Sequence, residues 1–316
     1  MTLDNLSTGA RGRSALYALA TLLCIFSSAT QADTYTQTRY PIVLIHGMSA
    51  FDDIFGFSSW YGIPRALRSG GAQVFVLQVS AFNATEVRGE QAARQIETIL
   101  ATTGAGKVNL IGHSHGGPTS RYVASVYPDY VASVTNVGGV NWGTPLADMS
   151  LRVGEYSSLL QSVTNAVANA FGALLDFLSG GNLPQDAGSG FLALTTEATV
   201  AFNALYPEGM PTEYCGEGPT QEANGIYYFS FTGSKLLTNF LDISDVFMFA
   251  TGQFIDEPND GLVPACSAHL GKVLRDDYRM NHLDEVDQLF GLHSSRDTDP
   301  PVVYRQQANR LQLLGL

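Results

Sequence analysis

The chain has 316 residues, 45% hydrophobic and 15% charged, which is enough apolar content for one large buried core and too much for an intrinsically disordered chain. Its 17 Lys and Arg against 29 Asp and Glu leave a net charge of −12, and the basic residues are scattered without a cluster. That balance excludes a nucleic-acid partner, because phosphate binding needs a basic face, and it leaves carboxylates available to a hard cation.

At the N-terminus Arg11 and Arg13 precede an apolar run over 15–26, and Thr30-Gln31-Ala32 offers the small residues a signal peptidase reads. The pattern predicts a signal peptide over 1–32, cleaved after Ala32, and an exported chain. A membrane anchor is the rival reading, but the run is short against the roughly 20 residues a span requires, and the apolar tract 246–254 is shorter still. No stable membrane insertion is expected, and 33–316 reads as one domain with no internal repeat. Of three cysteines Cys24 leaves with the leader, so Cys215 and Cys266 read as one disulfide, with two separate buried thiols as the alternative.

Residues 40–45 form a continuous apolar run ending in His46-Gly47, the pattern of a central buried strand. Further strands are predicted over 72–79, 108–111 and 131–137. A helix over 88–100 places Ala92, Ile96 and Leu100 on one face. Parallel strands need crossovers of a dozen residues or more, and these spacings supply them. Between the third strand and the next helix lies Gly112-His113-Ser114-His115-Gly116. A strand that ends, a serine on a tight strained turn and a helix that begins make a nucleophile elbow, with glycines where a Cβ would clash. Gly117 adds room, Pro118 suits a first helical turn, and Tyr122, Val123, Val126 and Tyr127 recur at helical spacing.

From 155 to 180 the chain is apolar over a broad helical arc with few charges, through Leu159, Val163, Val167, Phe171, Leu174 and Leu178. A core helix is one reading. The other is a lid, over about 150–182, that covers an apolar pocket and ends at Gly180-Gly181. Residues 186–190 read as loop, and 225–233 as a late strand or hairpin.

A serine is a weak nucleophile and needs a histidine base with a carboxylate to fix the imidazole. In chain order the partners of an elbow serine follow as acid, then base. His46 and His113 precede Ser114, and His115 sits beside it, so the candidates are His269, His282 and His293. His282, in Arg279-Met280-Asn281-His282-Leu283-Asp284, follows a charged segment and precedes an apolar helical-looking stretch, as a base on a loop beyond the last strand should. His269 is the main rival. Asp260, at the turn Asn259-Asp260-Gly261, has the right order for the acid. Asp242, Asp245, Asp276 and Asp277 compete with it. Backbone N–H groups of His115, after the nucleophile, and of Met48, in the loop after the first strand, are the expected oxyanion donors.

The stretches Tyr40-Pro41-Ile42-Val43-Leu44-Ile45-His46-Gly47-Met48, Val108 through Pro118, and Tyr278-Arg279-Met280-Asn281-His282-Leu283-Asp284 resemble the secreted triacylglycerol lipases of Pseudomonas, a group that needs a dedicated membrane-bound foldase. The similarity runs from about Thr34 to Leu314. It implies an α/β-hydrolase fold: a mostly parallel central sheet flanked by helices, with a helical lid. It also implies the triad Ser114, Asp260 and His282, the oxyanion donors Met48 and His115, and the disulfide Cys215 to Cys266. A structural Ca²⁺ would be held by the side chains of Asp242 and Asp284 and the backbone oxygens of Gln288 and Leu292, and export would pass through the periplasm with the foldase as partner. Oxygen ligands of this mixed kind suit Ca²⁺. The chain departs from the family at Gly138-Gly139-Val140-Asn141-Trp142-Gly143-Thr144-Pro145, where relatives more often carry Ala-Pro-His-Lys-Gly-Ser, and over 219–224, which is one residue longer.

The expected function is hydrolysis of long-chain acylglycerols at a lipid–water interface. A carboxylesterase or polyester depolymerase would use the same triad, since nothing in it sets chain length. A non-catalytic lipid-binding or cell-surface protein is the reading from another class.

Overall fold

The computed structural model describes residues 33–48, 59–151 and 186–316. The expected signal segment and nearly all of the expected lid lie outside the described residues. Six strands form one sheet: β1 (Ile42–Ile45), β2 (Val74–Leu77), β3 (Val108–His113), β4 (Val131–Val137), β5 (Tyr227–Gly233) and β6 (Lys272–Tyr278). Every pairing is parallel and the order is β2-β1-β3-β4-β5-β6. β4 occupies the predicted range, while β1 and β2 are trimmed at the ends that leave the sheet.

Side chains alternate across a strand, and β1 shows what this achieves. Val43 and Ile45 enter a core with Ala92, Ile96, Val123 and Ala124, on one face of the sheet. Ile42 and Leu44 enter the other, with Trp60, Ile63, Leu67, Tyr304 and Ala308. The first face is covered by α2 (Thr85–Thr103) and α3 (Gly116–Val126), the second by α1 (Ile63–Ser69) and the C-terminal helix Pro300–Leu313. α4 (Pro145–Leu151), α5 (Ala187–Leu192), α6 (Thr196–Leu205) and α7 (Ser244–Gly252) belong to the connections beyond β4 and β5. With the C-terminal helix as α8, residues Thr34–Leu316 make one compact unit.

Two segments differ from the sequence expectation, and a third, β6, had none. Residues 186–190 are not loop: Asp186 caps α5 by accepting a hydrogen bond from the Ser189 N–H at 3.0 Å, which stabilises a helix start in a glycine-rich stretch. β6 is a strand although it reads Lys-Val-Leu-Arg-Asp-Asp-Tyr, because it is an edge strand whose charges remain partly in solvent. The apolar stretch after His282 is not a regular helix. It is a 3₁₀ turn (Asp284–Val286) followed by left-handed residues Asp287, Leu289 and Phe290.

The disulfide Cys215–Cys266 is present and ties the segment before β5 to the short helical turn Ala265–Ala268. By the chain-entropy estimate, closing a loop of 51 residues contributes about 4 kcal/mol. The lengthened segment 219–224 runs largely exposed into a turn closed by Gly225 N–H on Glu222 O, beside β5.

Candidate active site

The site assembles at the C-terminal ends of the parallel strands, where open α/β sheets place ligands. β3 ends at His113 and α3 begins at Gly116, which leaves Ser114 on the turn with φ 56°, a left-handed conformation rare for a side-chain-bearing residue. The turn closes this tightly because two glycines permit it: a Cβ on Gly112 would strike the Gly116 carbonyl, and a Cβ on Gly116 would strike the Ile45 carbonyl of β1. Ser114 N–H donates to Val137 O at 3.0 Å, and Gly117 N–H donates to Ser114 O at 2.9 Å, so both sides of the turn are anchored.

Beyond β6, the loop carrying His282 meets the loop carrying Asp260. His282 Nδ1 lies 2.7 Å from Asp260 Oδ2, with both side chains buried. Asp260 Oδ1 accepts from Leu262 N–H and Val263 N–H at 2.9 and 2.7 Å, and its carbonyl accepts from His282 N–H at 2.8 Å. A carboxylate accepts, so the imidazole carries its proton on Nδ1 and turns the Nε2 lone pair outward, the state a general base requires. His282 stacks on His113, the neighbour of Ser114, with ring centroids 4.5 Å apart. The contact between Asp260 and His282 is present, and the His282 ring lies against that of His113, the residue before Ser114.

The rivals are occupied elsewhere. His269 contacts Gly216 O and Asp276 Oδ2 through its two ring nitrogens, next to the disulfide. His293 lies between Asp287 and Asp299 at 3.0 and 3.1 Å. The hydrogen bond to Asp287 raises its pKa to about 9 against the cost of burial, so it is a cation at neutral pH and cannot accept a proton. Asp245 accepts from Thr238 N–H, Asn239 N–H and Asn281 Nδ2. Asp276 and Asp277 engage His269 and Arg275.

The His115 side chain is tied to Thr85 Oγ1 at 2.9 Å, and burial, followed by the charge of Arg88, holds its imidazole well below the ordinary histidine range. It is a neutral orienting group on α3. Met48 follows His46-Gly47 and packs against Val140, Ala147, Leu194 and Val263. Over 138–145, where the family pattern is lost, Asn141 accepts from Asn136 Nδ2 and its own amide reaches Ala268 O, so this segment joins β4 to the turn holding the disulfide.

Two site residues escaped sequence reasoning. Arg88 is fully buried, and its guanidinium donates to the carbonyls of His46 at 2.5 Å, Gly47, Ser80 and Ala81 and to Thr119 Oγ1 at 3.2 Å. It joins the Met48 loop to α3, whose Thr119 in turn binds the His115 carbonyl. Burial lowers its pKa to about 9, which leaves it charged at neutral pH. The signal was in the sequence: Arg88 shares the i, i+4, i+8 face of Ala92 and Ile96, where an arginine must be buried. Glu285 is the second. Its Oε1 accepts from Thr232 Oγ1 and Gly233 N–H at the end of β5, and its Oε2 lies 3.8 Å from His282 Nδ1 and 3.4 Å from His113 Nε2. Burial, and then the negative charge of Asp260, push its carboxyl well above the usual carboxylate range.

Among the described residues, His113, His282 and Glu285 form a group whose ligand-type atoms all lie within 4.8 Å. It coincides with the base itself, and His282 Nδ1 is already committed to Asp260. The expected calcium carboxylates lie nearby and fit a hard cation better. Asp284 is buried with Oδ1 lacking any hydrogen-bond partner. Burial and the charges of Asp242 and Asp245 push its carboxyl up to about 7. Asp242 is also raised, chiefly by burial. Clustered buried carboxylates with an unpaired oxygen suit an oxygen-seeking divalent ion, and the turn bearing Gln288 and Leu292 follows Asp284 directly.

If Arg88 supports the Met48 loop, Arg88→Met lowers kcat on a dissolved ester roughly 10²-fold, the scale of losing an oxyanion donor, with KM within about twofold. Kinetics on variant protein that still melts cooperatively check this, and an unchanged kcat removes Arg88 from that role.

Comparison with known proteins gives the chain its family. The α/β-hydrolase fold family matches residues 40–189. The chain is 54% identical over 304 residues to a triacylglycerol lipase of Vibrio cholerae, covering 93% of this chain and 97% of that one. With a triacylglycerol lipase of Pseudomonas fragi the identity is 40% over 294 residues, covering 90% and 100%. Among solved structures, the mature lipase BlEst2 of Bacillus licheniformis superposes with a TM-score of 0.60 at 18% identity over 86% of this chain and 92% of that one, a likeness of fold. With identity this high along nearly the whole length, the chain belongs to the bacterial triacylglycerol lipases, enzymes of the α/β-hydrolase fold.

Proposed function

We propose that the chain is a secreted lipase that hydrolyses long-chain acylglycerol esters through an acyl-enzyme on Ser114. The observation that carries the reading is the buried Asp260–His282 pair set beside a serine in left-handed conformation at the end of β3. In the first half-reaction the Ser114 oxygen attacks the ester carbonyl while His282 Nε2 takes the hydroxyl proton. The tetrahedral oxyanion accepts hydrogen bonds from the N–H groups of Met48 and His115. Collapse breaks the bond to the glycerol-side oxygen, which leaves as an alcohol with the proton from His282. Water then attacks the acyl-serine, gives its proton to His282, and the fatty acid departs as that proton returns to Ser114.

An aggregated substrate is favoured by the surface around α7. Its inner face, Asp245, Met248, Thr251 and Gly252, is buried. Its outer face and the turn before it expose Phe240 (96%), Ile243 (83%), Val246 (72%) and Leu241 (60%). Between Lys235 and Asp256 the only charged side chains are Asp242 and Asp245, both buried. A charge-free apolar patch on a protein of net charge −12 suits a neutral oil surface. The leader 1–32, the lid over about 150–182 and dependence on a foldase during passage through the periplasm complete the reading on the strength of the family resemblance. Ca²⁺ on Asp242, Asp284 and the backbone oxygens of Gln288 and Leu292 would brace the His282 loop and neutralise its buried carboxylates without touching substrate.

Assays on an emulsified long-chain triacylglycerol and on a dissolved short-chain ester test this. Wild type cleaves both, and Ser114→Ala loses at least roughly 10³-fold on each. Ile243→Asp lowers the emulsion rate about tenfold, by the cost of taking a charge to an apolar surface, while sparing the dissolved ester. A wild type active only on the short ester would favour the carboxylesterase or polyester depolymerase reading.

For calcium, chelation is expected to lower the melting temperature by about 4–5 °C, the shift a ligand at a hundredfold excess over its Kd gives a protein of this size. Re-addition restores it, and Asp284→Asn abolishes the response; a melt indifferent to chelation overturns the site.

A further inference from the structure

The catalytic reading gives the buried His113 no task. His113 ends β3, is 6% exposed, and stands immediately before Ser114. Its Nε2 lies 3.0 Å from the backbone carbonyl of His282, across 169 residues of sequence. The same ring stacks on the His282 imidazole at 4.5 Å, tilted by 40°, and takes an edge contact from Trp60 at 6.2 Å. We propose that His113 is a positioning residue: its Nε2–H donates to the His282 carbonyl and so fixes the base relative to the serine next in sequence. The proposal rests on Ser114 and His282 being nucleophile and base.

A carbonyl can only accept, so the bond requires the Nε2–H tautomer. Burial and the neighbouring His282 hold the His113 imidazole well below the ordinary histidine range, so the ring is neutral. The peptide units on both sides of His282 are then pinned. Its N–H donates to Asp260 O at 2.8 Å, from the acid, and its C=O accepts from His113, from the elbow. Without the second bond, the loop stays attached to Asp260 but loses its hydrogen bond from the elbow. Misplacing a reacting group by about 1 Å costs on the order of 10²-fold in rate, whereas substrate binding does not depend on this contact.

The test uses the purified full chain, a dissolved short-chain ester and active-site titration, so that rates refer to folded enzyme. His113→Leu, which cannot donate, is expected to lose roughly 10²-fold in kcat with KM within about twofold. His113→Gln can place an amide N–H near the Nε2 position and is expected to recover at least about tenfold of that loss. Should His113→Leu fail to fold, His113→Asn, whose amide is too short to reach, replaces it in the comparison with Gln. The inference is overturned if the non-donating variant keeps kcat within twofold, if Gln does no better than it, or if only the melting temperature falls. Ser114→Ala and His282→Ala serve as controls. Full activity in either sinks the underlying triad, while inactive controls beside a fully active His113→Leu sink this inference alone.

Discussion

The approach of α3 to the end of β1 is the constraint on which the site depends. Gly116 brings its backbone against the Ile45 carbonyl so closely that no side chain fits between them. With the helix start held there, the chain has two residues in which to leave β3 and enter the helix, and Ser114 adopts φ 56°. A left-handed non-glycine residue costs about 1–2 kcal/mol, and the bonds to Val137 O and from Gly117 N–H hold it there. Because β1 and β3 are adjacent in the sheet, the same packing sets the Met48 loop beside the serine. The contact of Gly116 with β1 therefore places both Ser114 and the loop bearing Met48, the residues to which the proposed mechanism gives the nucleophile and an oxyanion donor.

The electrostatics of the site follow from burial. Four histidines lie around the elbow, and at His46, His113 and His115 burial is the first cause of a lowered pKa. Three neutral imidazoles act as shaped hydrogen-bonding groups, and of the four rings His282 comes nearest a carboxylate, 2.7 Å from Asp260 Oδ2 against 3.4 Å between His113 Nε2 and Glu285 Oε2. Glu285 lies close to the same ring, and burial, followed by the charge of Asp260, raises its pKa, so it holds a proton more readily than an exposed glutamate does. Arg88 supplies a buried positive charge whose hydrogen bonds go to carbonyls and one hydroxyl, which makes it a brace for the backbone.

The sheet was readable where strands are central, since an apolar run such as 131–137 has few other uses. The elbow was readable because glycine spacing reports a steric requirement directly. β6 was not, because an edge strand carries the charges that sequence patterns assign to loops. Nor was the α5 start, where one aspartate cap outweighs two glycines. Chain order and turn context were enough to propose Ser114 and Asp260, but choosing His282 over His269 leaned on family resemblance, and the partners of the two rings, Asp260 for His282 and Gly216 and Asp276 for His269, support that choice. Arg88 and Glu285 act through contacts 42 and 53 residues away in sequence, with Gly47's predecessor His46 and with Thr232, and no local pattern reveals such partners.

Among the described residues β6 pairs on one side only, leaving a row of backbone donors and acceptors at the sheet margin. Lys272, Arg275, Asp276 and Asp277 stand along it, and Arg275 is braced by Asp297. A strand from another molecule could pair there only by desolvating these charges, so the residues that disguise β6 in the sequence also terminate the sheet. Where molecules crowd together, that margin is a built-in barrier to fibre-like growth.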